Sequence, residues 1–490
     1  MPVRTYDQKL MYLFPPCLDD WLGPGHMARI FSDLVDHIDL SGLCPIDAMG
    51  SPRYSPVMMA KVLLWAYANG IRASRKIEEH LHSDVIFMWL SGRQTPDFRT
   101  ICDFRRCNAD ALKALFAQVV MMARELGMAK LGLVALDGTK IRASAGIDSF
   151  KTVKEWREAL TEAKQAAAKI LAEVEAQDKI DEAELGERRS AVELPEDLRT
   201  VERRVAKIEA LLKKIPAEVA EDLKISSTDP DARYMHTASG SIPAFNAELV
   251  VTADQIVVGA HVTTEPVDQN QLLLGLEQVE RTCGEKPVQV LADAGFSGGK
   301  NLQALEQLGV DGYIPDSEEK NIGKDQRAHP ELFSKEAFKY DAEHDSYQCP
   351  AGATLKPVSK QRSKGKYSLR GEVTTYRTER GRCLKCPLKE QCTKTRNPVG
   401  RSVSRDGYEA ERGRMRTKLA SKAGKATYGQ RKTIVEPTIG QIKTVGGFRQ
   451  FLLRGKRKVG IEWTWGVTAH SLLKITRRVA EGTVKLAWAA

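Results

Sequence analysis

Along the first quarter of the chain, apolar residues recur every three to four positions, which predicts an all-helical leader over residues 1–128. The segments 25–40, 56–69, 74–82 and 111–126 each carry the pattern, and Ser55 followed by Pro56 supplies a helix start. A polar turn, Thr95-Pro96-Asp97, leads into Arg99, Arg105 and Arg106, with Ile101 and Phe104 on the opposite side. This reads either as a small helix-turn-helix-like DNA module or as a helical scaffold with solvated arginines. At Leu131 the period shortens. A strand of sequence Gly-Leu-Val-Ala-Leu runs up to Asp137 and Gly138, 244–253 and 255–262 read as two strands joined by a tight turn, and 288–292 is a fourth strand ending at Asp293. Two acids therefore sit at the expected ends of buried strands, where α/β folds build sites on rigid elements beside open loops.

Two insertions interrupt this pattern. In residues 151–224, Trp156, Leu160, Ala163, Ala167, Ile170 and Val174 alternate steps of four and three, as do Leu198, Val201, Val205, Ile208 and Leu212. Gly186 and the helix start Leu194-Pro195-Glu196-Asp197 lie between them, so the segment is expected to form an antiparallel helical hairpin. Residues 336–398 hold Cys349, Cys383, Cys386 and Cys392. Four thiolates fit one structural Zn2+, and a reduced or redox-active cluster is the alternative. The remaining cysteines, Cys17, Cys44, Cys102, Cys107 and Cys283, read as small apolar residues.

Charge changes this picture most near the C-terminus. The chain of 490 residues carries a formal net charge of +10, yet residues 401–460 alone hold 16 basic and 4 acidic side chains. Such a patch reads as a polyanion-binding surface. Between Glu411 and Glu462 the only acid is Glu436, among fourteen Lys and Arg. An unpaired carboxylate on a surface that meets phosphates would repel them unless a cation sat between. No apolar run is long enough to span a bilayer and no export signal is evident, so a cytoplasmic place is expected.

Asp137, Asp293 and Glu436 together suit phosphodiester chemistry. Two Mg2+ (or Mn2+) ions on carboxylates activate an oxygen nucleophile and stabilise the leaving oxygen, with Asp137 between the ions and one further acid on each. Singly, each acid has a plainer reading: Asp137-Gly138 as a turn, Asp293 as a helix cap, Glu436 as an ion pair with Lys432. Lys432 and Lys443 fall one turn before and two turns after Glu436, where they would meet phosphates; Arg105, Arg449, Arg454 and Lys456 extend the expected DNA-binding set. Pro437 requires the helix either to start or to kink at Glu436.

The segments Leu-Val-Ala-Leu-Asp-Gly-Thr-Lys at 133–140, Leu-Ala-Asp-Ala-Gly-Phe at 291–296 and Val-Glu-Pro-Thr-Ile-Gly-Gln-Ile-Lys at 435–443 resemble the DDE transposases of bacterial insertion sequences. Tyr-Ser-Pro at 54–56 and Ala-Asn-Gly-Ile-Arg-Ala-Ser-Arg at 68–75 resemble the helical leader of one branch, and the cysteine-bearing insertion before the Glu also fits. The resemblance implies an α/β, RNase H-like core formed by 129–150, 225–335 and the basic 399–490, with Asp137, Asp293 and Glu436 as its acids. It implies a Tyr, Arg, Glu, Lys signature as well. Tyr428, Glu436 and Lys443 match, Arg431 stands one position farther from the Glu than usual, and Lys432 takes the expected place. The implied reaction is cleavage at the element's ends followed by attack of the freed 3′ hydroxyl on target DNA. Its partners would be terminal inverted repeats and target DNA, with a homodimer assembling on them in the bacterial nucleoid. A nuclease of the same fold, a DNA-binding regulator without catalysis and a zinc-ribbon interaction protein are the rival readings.

Overall fold

The computed structural model describes residues 17–45, 53–185, 196–215, 220–237, 240–316, 332–362, 372–486 and 488. Its centre is a mixed sheet. Strand β1 (Leu133–Arg142) pairs antiparallel with β2 (Gly240–Thr252), which pairs antiparallel with β3 (Val257–Thr263). On its other side β1 runs parallel to β4 (Gln289–Leu291), and β4 to β5 (Asp311–Tyr313). The spatial order β3-β2-β1-β4-β5 is that of the RNase H-like α/β core, with a short strand Arg233–Thr237 added along β2. The parallel strands are short and wholly apolar at their inner positions because helices cover both faces. Val134, Ala135, Leu136, Val290 and Leu291 are completely buried.

The N-terminal helices do not have a core of their own. Met27–Asp36, Pro56–Ala68 and Ala111–Glu125 pack on the last long helix, Lys456–Ala480, whose Trp463 and Trp465 are buried in the same apolar cluster as the sheet. Pro56–Ala68 is apolar almost all round, as a helix enclosed on every side must be. A buried ion pair joins the two ends of the chain. The Arg72 guanidinium donates to Glu462 Oε1 at 2.6 Å and to the carbonyls of Gly447 and Gln450, while Glu462 also accepts from the amides of Leu452 and Leu453.

The helices Val153–Leu185 and Glu196–Lys213 lie against one another. Trp156, Ala163, Leu198 and Ile208 are buried between solvated outer faces, and Trp156 Nε1 donates to the Ile225 carbonyl at the base. Gly186, Leu194 and Pro195 lie outside the described residues. After β5, a five-stranded antiparallel sheet, Lys339–Asp341, Ser346–Gln348, Thr354–Arg362, Glu372–Arg377 and Ser402–Asp406, forms a separate small core around Tyr347, Leu355 and Tyr376. Among the described residues no helix is long and apolar enough to cross a membrane.

Candidate active site

The register of the parallel strands creates the site. β4 pairs with β1 only as far as Leu291 against Ala135, and each strand then carries an Asp two residues farther on. Asp293 leaves the sheet and accepts the Gly295 amide at 2.7 Å, opening the turn Ala294–Phe296. Asp137 does not end its strand, as the sequence pattern suggested. β1 continues to Arg142 because β2 still pairs with it through Ala244 against Arg142, so Asp137 is held on a rigid strand beside the gap that β4 leaves.

Burial pushes the Asp137 carboxyl up to about 6; Arg431 opposes this, and the charges of Asp293 and Asp268 add to it. Asp137 and Asp293 thus stand close enough for each charge to act on the other. Facing them is the helix Lys422–Thr444. Its Arg431 is buried and donates from Nη2 to Asp137 Oδ2 at 2.8 Å, while Nη1 lies 4.0 Å from Glu436 Oε1. The guanidinium stands where positive charge between the two acids is needed. Glu436 itself is on the exposed edge of the helix, its side chain 55% accessible. Among the described residues no group of three or more His, Cys, Asp or Glu side chains is drawn together tightly enough to hold a metal ion, the three acids included. Their chemistry nevertheless fits a hard cation: two carboxylates at one gap, one of them buried with its ionised form disfavoured, and a third on the facing helix.

Pro437 neither starts nor visibly ends the helix; it lies inside Lys422–Thr444. A proline has no amide for the carbonyl four residues back, here that of Thr433. The side chain of Gln255, at the tip of the β2–β3 hairpin, supplies the missing donor: Nε2 reaches Thr433 O at 3.2 Å, and Gln255 Oε1 accepts from Lys474 at 2.7 Å. Gln255 adopts a left-handed φ of 63°, a conformation uncommon for a residue other than glycine.

The basic residues divide. Tyr428 is half-buried, its phenol raised by burial, with Arg431 opposing and Asp293 and Asp137 adding to the rise. Burial lowers the Lys443 ammonium while Asp137 supports it, so the Asp137 charge reaches both side chains. Lys432, Arg449, Arg454 and Lys456 are exposed, and Arg454 Nε donates to the Ser144 carbonyl. Arg105 is a correction. It is 5% exposed and bound to the Tyr67 hydroxyl, the Arg72 carbonyl and Ser74 Oγ, so it braces the N-terminal helices and is not available to DNA. Ile101 and Phe104 are buried on the inner side of this helix, and Arg105, four residues after Ile101, follows it inward.

Cys349, Cys383, Cys386 and Cys392 line one cavity of the small sheet domain. Burial raises the Cys392 thiol, Arg401 opposes, and the other three sulfurs add to the rise. The donor set suits zinc, although the sulfurs do not close on a single point. Cys283 is buried, whereas Cys17, Cys44, Cys102 and Cys107 are exposed, against the apolar role read from the sequence.

The sequence reading missed a second polar group behind Asp137. Asn246 and Glu248 of β2 face Lys140 and Gly138 of β1, and Asp268 joins them from the loop before the helix Gln271–Cys283. A signal was there: charged and amide residues interrupting the apolar run Phe245–Val251, at alternate positions that share one face of the strand.

Residues 348–476 match a family model described as a transposase DDE domain, and residues 16–107 match one described as a transposase domain of its own family. The first match contains Glu436 and its helix; Asp137 and Asp293 lie outside both. No curated protein matches the chain. With an RNase H-like sheet between a segment similar to a transposase leader and a helix within a segment similar to a DDE domain, the two matches indicate a DDE transposase of the insertion-sequence type.

Proposed function

We propose that the protein cuts the ends of its own element and joins the freed 3′ hydroxyl to target DNA, with Asp137, Asp293 and Glu436 as the catalytic acids. The observation that carries this reading is the buried Asp137 beside Asp293, its negative charge offset by the Arg431 guanidinium at 2.8 Å. Two divalent cations, Mg2+ or Mn2+, when bound would polarise the scissile phosphate and offset charge developing on the leaving oxygen. Asp137 and Asp293 would hold them at the gap in the sheet, and Glu436 would approach from the helix. Arg431 stands between Asp137 and Glu436, where it keeps the acids from repelling one another.

In the first step water attacks the phosphorus at the element's end, the P–O3′ bond breaks, and a 3′ hydroxyl and a 5′ phosphate result. In the second, that hydroxyl attacks a target phosphodiester, forming a new P–O bond and releasing a target 3′ hydroxyl. Lys432, Lys443, Arg449, Arg454 and Lys456 would lie along the DNA backbone, with Tyr428 beside the acids. Terminal inverted repeats and target DNA would be the partners, bound by a homodimer. Cys349, Cys383, Cys386 and Cys392 would hold a structural zinc ion, which metal analysis of the purified protein tests directly.

The deciding experiment incubates the protein with terminal-repeat DNA and Mg2+ and scores both nicked and joined products. Asp137→Asn, Asp293→Asn and Glu436→Gln should each abolish both while leaving end binding largely intact. A near-normal cleavage rate in any of them removes that residue from the site; nicking without joining by the wild type makes the protein a nuclease of the same fold.

A further inference from the structure

The polar group behind Asp137 does not resemble a stabilising device. Asn246 and Glu248 are 0% and 1% exposed, at the centre of an otherwise apolar strand. Asn246 Nδ2 donates to Glu248 Oε1 at 2.6 Å and to Asp268 Oδ1 at 2.7 Å, and Lys140 Nζ adds a second donor to Asp268 Oδ1 at 2.7 Å. Glu248 Oε2 is buried without a hydrogen-bond partner. Its carboxyl fills the space above Gly138, where a Cβ would come within 2.6 Å of Oε1, so any side chain after Asp137 would displace the Glu248 carboxyl. Burying a carboxyl this way costs several kcal/mol that apolar packing would not, and such clusters concentrate at functional centres.

Asp268 is the member of this group that reaches the site. Its Oδ2 and Asp293 Oδ1 lie 3.4 and 2.9 Å from one point, the place a Cβ of Gly295 would take. Asn301, 2% exposed, clamps the two loops together: its Nδ2 donates to the carbonyl of Gln269, next to Asp268, and to that of Phe296, in the turn after Asp293. Asp268 is therefore held from both sides. Lys140 and Asn246 fix Oδ1, and Oδ2 is left turned toward the Asp293 turn.

We propose that Asp268 is a fourth carboxylate of the catalytic centre, a positioning residue that strengthens cation binding on the Asp293 side and is set in place by Lys140, Asn246 and Glu248. The inference rests on the reading of Asp137 and Asp293 as cation-holding acids. Glu248 serves it as a space-filling partner against Gly138 and Asn246; burial and then the Asp268 charge raise its carboxyl well above the usual range, with Lys140 opposing. Asp268 adds negative charge at the gap without requiring a fourth acid on the strands themselves. Supporting groups of this kind are worth ten- to a hundredfold in metal affinity.

The test measures Mn2+ binding to the DNA-free protein by electron paramagnetic resonance, alongside cleavage of terminal-repeat DNA across a Mg2+ series. Asp268→Asn should weaken Mn2+ binding about tenfold, and its cleavage deficit should shrink as Mg2+ is raised. Asp268→Ser carries the same test should the amide variant not fold. Asp137→Asn is the control. If it loses Mn2+ binding while both Asp268 variants bind within twofold of wild type, the role of Asp268 is overturned and the two-Asp site stands. If Asp137→Asn also binds normally, the underlying site assignment fails, and this inference with it.

Discussion

Asp137 should destabilise the cation-free protein at neutral pH, and Asp137→Asn should therefore stabilise it. The carboxyl titrates at about 6 in the fold against 3.8 in an open chain. A raised carboxyl pKa means that the folded state holds its proton more tightly, so the associated stability is full below pH 3.8 and is lost as pH rises through 6. The difference of about 2 pH units corresponds to roughly 3 kcal/mol, already net of the Arg431 attraction. An asparagine mimics the protonated form, keeping an oxygen for Arg431 while avoiding the buried charge. Urea unfolding in EDTA, followed through the buried Trp463 and Trp465, should show the variant gaining over wild type by about 2 kcal/mol more at pH 8 than at pH 4.5. Added Mg2+ should then raise the wild type and not the variant. A gain that does not change with pH, or a variant less stable than wild type at pH 8, would refute the claim that burial of the Asp137 carboxylate outweighs its attraction to Arg431.

Other outcomes follow from the same geometry. Arg431→Gln removes the charge that opposes the rise at Asp137, so the acid limb of the cleavage pH profile should move to higher pH; a limb that stays in place would mean that Arg431 does not act on Asp137. Arg72→Met strands the buried Glu462 and should cost about 3–5 kcal/mol in urea unfolding, whereas a cost under about 1 kcal/mol would show that the pair is dispensable. Gln255→Leu leaves the Thr433 carbonyl to water and should cost about 0.5–1.5 kcal/mol, with a larger fall in cleavage than in DNA binding. Lys443→Gln should lower the slope of log affinity against log salt by about one; an unchanged slope excludes it from the phosphate contacts.

Local patterning revealed much of the sheet because its strands carry buried apolar runs, and the short β4 is followed closely by Asp293. β1 was harder to end from sequence: Asp137 and Gly138 look like a turn, and only the long partner β2 keeps the strand going to Arg142. The same gap explains Arg105, whose charge suggests solvent until the hydroxyl of Tyr67 and the carbonyl of Arg72, more than thirty residues away, enclose it. Glu436 was legible as a lone acid among bases, but its partner was not. The spacing favoured Lys432, yet Lys432 is exposed and Arg431 is the residue turned inward toward Asp137. The group of Lys140, Asn246, Glu248 and Asp268 depends on pairing across strands and on a loop twenty residues downstream, information that single-segment periodicity does not contain.

The tip of a surface hairpin is ordinarily where a chain tolerates extra residues. The β2–β3 turn reverses that expectation, since its Gln255 completes the proline-broken ladder at Thr433, three residues before the acid that must meet the sheet. Lengthening this turn by even one residue would shift the support while leaving both strands able to pair, so the chain should still fold and yet misplace Glu436. Insertions there would separate folding from catalysis, which makes an outwardly unremarkable turn one of the least forgiving places in the protein to vary in length.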